Sequence, residues 1–185
     1  MDIRAYRSLP QEAVLVRTKV FVEEQGFKNE FDEIDGSALH LVAFEGKAPI
    51  GTCRLFFSAE RDCFVLGRLA VLKAGRGEGV GQALVRECER CVRESGGDRV
   101  ELLAQVGAQG LYEKLGFRTL DERCDDEGCP HVWMRKDLLE CLKARLRAKG
   151  MSAVPNDRDS EWAASRLDST QRGAHASGAF RTHLV

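Results

Sequence analysis

The apolar residues of this chain fall in short bursts between polar, glycine-bearing segments, and their spacing sorts the bursts into strands and helices. Asp2–Tyr6 reads as a short strand. Pro10 opens a helix with Ala13, Val16 and Val20 on one face, running to about Glu24. Residues 26–37 are polar, acidic and glycine-bearing, which predicts a loop. Leu39–Phe44 is a strand, Gly46–Pro49 a turn, and Ile50–Phe57 a second strand. Cys63–Val71 follows as a third, then a glycine-rich turn over Gly75–Gly81 and an amphipathic helix over Val80–Glu94. Val100, Leu102 and Ala104 alternate along another strand. Ala108–Leu115 forms a short helix stopped by Gly116, and Phe117–Cys124 with His131–Arg135 make a final hairpin around an acidic loop. Leu138, Leu139, Leu142 and Leu146 line one side of a last helix that Gly150 stops.

Composition adds a division of the chain. In 185 residues, 28 basic side chains meet 29 acidic ones. The balance is uneven, because residues 141–185 hold eight Lys/Arg and four Asp/Glu. Beyond residue 150 only Val154, Leu167, Phe180, Leu184 and Val185 are large aliphatics or Phe, too few to offset the entropy of ordering. We therefore expect one domain over residues 1–140 and a basic extension over 141–185, a short helix and then disorder. A net charge of −1 argues against a protein built to neutralise nucleic-acid phosphates. No apolar run approaches the roughly 18 residues of a membrane span. The start, Met1-Asp2-Ile3-Arg4, lacks an apolar signal core, so a cytoplasmic protein is expected.

The seven cysteines (53, 63, 88, 91, 124, 129 and 141) then read as reduced thiols. Cys88-x-x-Cys91 looks like half a zinc site. Yet Leu84, Cys88, Cys91 and Val92 share one helical stripe, which makes them core, and no metal is expected.

Two stretches carry candidate chemistry. Arg76-Gly-Glu-Gly-Val-Gly81, between a strand and a helix, lets backbone N–H groups converge at a helix start, an anion cradle suited to a pyrophosphate. A strand-to-helix turn without a ligand is the alternative. The spacing lacks the third glycine of a dinucleotide fingerprint and the Gly-Lys-Ser/Thr of a P-loop. In Gln105-Val-Gly-Ala108-Gln-Gly-Leu111-Tyr112-Glu-Lys-Leu-Gly116-Phe117, Tyr112 stands on a short helix beside Leu111 and Leu115, either as chemistry or as packing.

Together these stretches resemble the GNAT N-acetyltransferases. Arg76-x-x-Gly79-x-Gly81 after Leu69-Ala70-Val71 is similar to that family's acetyl-CoA signature, and Ala108-x-x-Leu111-Tyr112-Glu113-Lys114-Leu115-Gly116-Phe117 to its second one. Arg17-x-x-Val20-Phe21-Val22-x-Glu24-Gln25, Asp32-x-x-Asp35, His40, Gly51-x-x-Arg54 and Gly128-x-Pro130-His131 resemble the ElaA-like branch. The resemblance covers roughly residues 2–137. It implies an α/β (α+β) fold: a mixed, mostly antiparallel twisted sheet with helices on both faces and a splayed parallel strand pair. The pair would be the strands ending at Val71 and Ala104.

The same resemblance implies roles. Leu69, Ala70 and Val71 would hold the pantetheine arm, Arg76, Gly77, Glu78, Gly79, Val80 and Gly81 the pyrophosphate, and Gln105 would contact the cofactor. Tyr112 would be the acid for the departing thiolate. Glu24, Gln25, Asp35, His40, Arg54 and His131 would face the acceptor. Glu24, Asp35, His40, Glu101 and His131 are candidate bases, and a water relay would need none of them. The implied reaction moves an acetyl group from acetyl-CoA to a small primary amine, such as an amino sugar phosphate or a polyamine. A non-catalytic acyl-CoA-binding module and a protein N-acetyltransferase stay open, and so does a homodimer. No nucleic acid or membrane partner is expected.

Overall fold

The computed structural model describes residues 1–139. The basic extension and nearly all of the expected helix after Asp137 therefore lie outside the described residues. Seven strands form one sheet: β1 Asp2–Tyr6, β2 Leu39–Glu45, β3 Ala48–Ser58, β4 Cys63–Val71, β5 Arg99–Gln105, β6 Arg118–Asp126 and β7 Cys129–Asp137. Three helices, α1 Gln11–Arg17, α2 Val80–Glu94 and α3 Gln109–Lys114, connect them. The strand order is β1-β2-β3-β4-β5-β7-β6. Every neighbouring pair is antiparallel except β4 and β5.

Two departures from simple periodicity shape the centre of the sheet. The helix expected up to Glu24 divides: α1 ends at Arg17 and a π-helical turn carries the chain from Thr18 to Glu24. The strand expected to alternate, β5, is buried along both faces from Val100 to Ala104, as suits a central strand. Its Glu101 is fully buried and is neutralised by Arg61 and Arg135.

The largest core lies between the sheet and α2. Leu41, Cys53, Leu55, Leu66, Leu102, Ala104, Val132 and Met134 supply the sheet side. Leu84, Cys88, Cys91 and Val92 are all buried, as the helical stripe implied. Gly51 lets α2 approach β3, since a Cβ there would stand 2.9 Å from Val80 Cγ1 and 3.1 Å from the Ala70 carbonyl oxygen. On the other face, Val16, Val20, Phe21 and Phe27 pack on Ala70 and Cys129.

The β4–β5 pairing is short. Phe64, Val65 and Leu66 pair with Val100, Glu101 and Leu102, and the pairing then stops. On its other side β4 bulges: Arg54 opposes Gly67 and Thr52 opposes Ala70, so Arg68 and Leu69 together face Cys53. Arg68 takes φ +54°, rare for a side-chain-bearing residue. The ends of β4 and β5 are thus free of each other, and a cleft opens between them.

Candidate active site

The cleft has a volume of about 760 Å³, within the usual range for small-molecule and cofactor sites. Leu69, Ala70 and Val71 of β4 line one wall, and Leu103 and Gln105 of β5 the other. Residues 75–82 line the end, α3 contributes Leu111 and Tyr112, and the π-turn adds Val20, Phe21 and then Gln25. All ten residues expected to hold the donor, together with Tyr112 and Gln25, therefore meet around one space.

Its floor is built from backbone. Gly77 and Gly79 adopt φ +84° and +77°, left-handed conformations that favour glycine. The first bond of the α2 ladder runs from the Ala83 N–H to the Gly79 carbonyl, and no side chain caps the helix. The N–H groups of Val80, Gly81 and Gln82 thus precede the ladder, in the positive field of a 15-residue helix. Donors so placed fit a pyrophosphate.

Tyr112 is buried in the core between α2 and the sheet and packs edge-on against Phe117 at 5.9 Å. Burial, with the Cys53 and Cys88 thiols nearby, pushes its hydroxyl well above the ordinary tyrosine value. It stays protonated at neutral pH, the state a proton donor needs.

The residues expected on the acceptor side separate. Gln25 lines the cleft and accepts from Gln105 Nε2 at 3.0 Å, bridging the π-turn to β5. Glu24 instead takes a bidentate ion pair from Arg76 at 2.7 and 2.8 Å, while Arg76 Nε donates to the Val71 carbonyl. The side-chain charge expected to meet the pyrophosphate is so engaged with the protein.

Asp35, His40 and Arg54 are buried in a network that leaves them no open surface. A capping box between Asp32 and Asp35 folds the acidic loop into a 3₁₀ turn, Glu33–Gly36. Glu30, Asp32 and Asp35 thereby cover three buried guanidinium groups. Arg17 donates to Glu30 (2.6 Å) and Asp35 (2.6 Å), Arg54 to Asp32 (2.6 Å) and Asp35 (2.9 Å), and Arg68 to the Glu30 carbonyl (3.0 Å). His40 Nε2 donates to the Asp35 carbonyl at 2.9 Å. Burial works to raise the Asp35 carboxyl, but Arg17 and Arg54 outweigh it and hold it at about 2. Burial lowers Arg68, to about 10, with Arg54 and Arg17 adding to the effect. The physical reason is local: three arginines under one short loop demand three carboxylates.

His131 is buried outside the cleft lining. Sequence reasoning did not find Val20 and Phe21 as cleft walls, because a π-turn shifts side chains off the α-helical stripe that periodicity detects. Among the described residues, no group of three or more His, Cys, Asp or Glu is arranged to hold a metal, and no helix is long and apolar enough to cross a membrane.

Residues 7–138 match the family model described as the Acetyltransferase (GNAT) domain. The chain is 35% identical over 130 residues to the uncharacterized N-acetyltransferase YjcF of Bacillus subtilis, covering 69% of this chain and 91% of that protein. It is 30% identical over 132 residues to protein ElaA of Escherichia coli, 68% of this chain and 85% of that one. The crystal structure of E. coli ElaA superposes with a TM-score of 0.65, covering 74% of this chain and 99% of that chain at 27% identity. An acyl-CoA N-acyltransferase from Pseudomonas aeruginosa gives a TM-score of 0.63, covering 73% and 98% at 27% identity.

Proposed function

The chain belongs to the GNAT acetyltransferase family, and from that premise we propose that it moves the acetyl group of acetyl-CoA to a primary amine of a small molecule. Membership makes it an acyl-CoA-dependent N-acetyltransferase. The acetyl donor, the small acceptor and direct attack in a ternary complex are our reading.

One observation carries that reading: a single cleft brings together the unpaired edge of β4, the open N–H groups at the start of α2, and a protonated Tyr112. The β4 edge at Leu69–Val71 suits an extended pantetheine arm, which pairs as an added strand would. The N–H groups around Gly77–Gly81 take the pyrophosphate. Tyr112 gives its proton to the sulfur as the thioester breaks. The acceptor enters from the side of the π-turn, where Gln25 and Gln105 meet. A small amine is favoured because the acidic loop is folded down onto its arginines, with Glu30 and Asp35 buried. Residues 1–140 form the catalytic unit in this reading.

The test is calorimetry with acetyl-CoA, followed by thiol release against glucosamine 6-phosphate, spermidine and a lysine-bearing peptide. We expect binding, and turnover on one of the small amines. Absence of acetyl-CoA binding overturns the proposal. Turnover on the peptide alone makes the protein a protein N-acetyltransferase, and binding without any turnover makes it an acyl-CoA-binding module.

A further inference from the structure

Of the five side chains eligible as a base, the three carboxylates are paired with arginines, and His40 stands opposite Arg54 in the buried arginine network. Glu24 is paired with Arg76, Asp35 with Arg17 and Arg54, and Glu101 with Arg61 and Arg135. His40 spends its Nε2 proton on the Asp35 carbonyl, beside the arginine network. His131 differs. Its Nδ1 lies 2.8 Å from the Cys129 carbonyl oxygen. A carbonyl only accepts, so Nδ1 carries the proton and Nε2 presents a lone pair. That Nε2 is buried and has no hydrogen-bond partner among the described residues. The residue is 1% exposed. A buried acceptor left unmet is costly, and such an atom in a native fold calls for a function or a ligand.

Its place in the sheet gives the function. His131 lies directly opposite Gln105 in the β5–β7 pair, so both side chains leave the same face. Leu103 and Trp133 follow on that face and pack with Val65 and Phe56. Cys129, whose carbonyl fixes the ring, packs on the cluster of Val20, Phe21 and Ala70, three residues that also wall the cleft. Ala104 and Val132 point the other way, into the core that contains Tyr112. Tyr112 and His131 therefore lie on opposite faces of the sheet, with His131 one strand beyond the gap, beside the Gln105 that lines it.

Building on the acetyltransferase reading, we propose that His131 Nε2 is the base that takes a proton from the acceptor ammonium. The acceptor displaces the hydrogen bond between Gln25 and Gln105, which reaches Gln105 beside the ring. One N–H proton passes to Nε2, and the freed lone pair forms the C–N bond at the thioester carbonyl. The C–S bond breaks with its electron pair going to sulfur, which takes the Tyr112 hydroxyl proton. The second proton leaves the new amide nitrogen and restores that hydroxyl, and the imidazolium releases its proton to solvent. Ammonium and thioester thus become amide, thiol and one free proton.

The experiment uses the full chain, acetyl-CoA and two generic probes, ethylamine and hydroxylamine. At pH 7.5 ethylamine is mostly ammonium and needs the base, whereas hydroxylamine is mostly neutral. His131→Gln is expected to slow ethylamine acetylation by about 10²–10³-fold and hydroxylamine by less than about tenfold, with acetyl-CoA binding by calorimetry retained. Equal losses on both probes, no loss on either, or an unaltered protein that accelerates neither amine overturns the proposal. Failure of the unaltered protein to bind acetyl-CoA overturns the underlying acetyltransferase reading instead. Should His131→Gln not fold, nitrogen NMR of the unaltered protein reads the tautomer: a proton on Nδ1 supports the proposal, and a proton on Nε2 overturns it.

Discussion

Single residues in this protein are defined by what has already claimed them. Arg76 and Asp35 have charges that the sequence offers to ligands and that the fold pairs internally. Tyr112 is the reverse, an apolar-looking helix residue whose hydroxyl is kept neutral by burial. Replacing it with Phe keeps the edge-on contact with Phe117 and removes only the proton donor. We expect Tyr112→Phe to lower kcat by about 10²-fold or more with acetyl-CoA affinity nearly unchanged. Equal turnover in steady-state thiol release would show that the sulfur needs no protein acid. Asp35 ties stability to pH. Its carboxyl sits at about 2 in the fold, against about 3.9 in an unfolded chain. A depressed carboxyl stabilises the fold above the unfolded value, and the benefit goes as pH falls through the folded one. The loss is about 2 kcal/mol between about pH 4 and pH 2. Asp32, also lowered, adds to it, while Glu30, raised by burial, acts in the opposite direction. Denaturant melts across that interval measure the slope, and a flat profile contradicts it.

At the scale of elements, the site depends on where α2 begins. Gly51 sets that position, because only a bare Cα lets Val80 close on β3. Gly51→Ala places a methyl group against Val80 Cγ1 and the Ala70 carbonyl, and the backbone oxygen has little room to yield. We expect a loss of about 1–3 kcal/mol in denaturant unfolding. Weaker acetyl-CoA binding should accompany it, since the N–H cradle moves with the helix. Full stability in the variant would mean that the helix rides over the strand freely. Legibility also divides by element. Cys63–Val71 and Val80–Glu94 are read from sequence to the residue, because turns bound both ends. The π-turn at Thr18–Glu24 and the bulge at Arg68 break the period and cannot be seen in it. The donor half of the site is legible because residues 69–81 are contiguous, so one motif specifies wall and cradle together. The residues expected on the acceptor side are not, because Glu24, Gln25, Asp35, His40, Arg54 and His131 lie far apart in the chain. Only the register of the sheet says which of those meet.

At the scale of the molecule, the family model spans residues 7–138, which contain every element of the sheet except β1. The parallel seam between β4 and β5, three paired residues long, is the thinnest section through that sheet. It joins a four-stranded half, β1 to β4, to a three-stranded half made of β5, β7 and β6. The two halves are thus stitched by fewer backbone bonds than either contains, and the proposed donor site lies along the part of the seam left open. A ligand there works as a rivet as well as a reactant. By mass action, donor present at 100 times its Kd adds about 2.7 kcal/mol to the folded state. The opening that makes room for chemistry thereby couples the cohesion of the fold to the supply of its substrate.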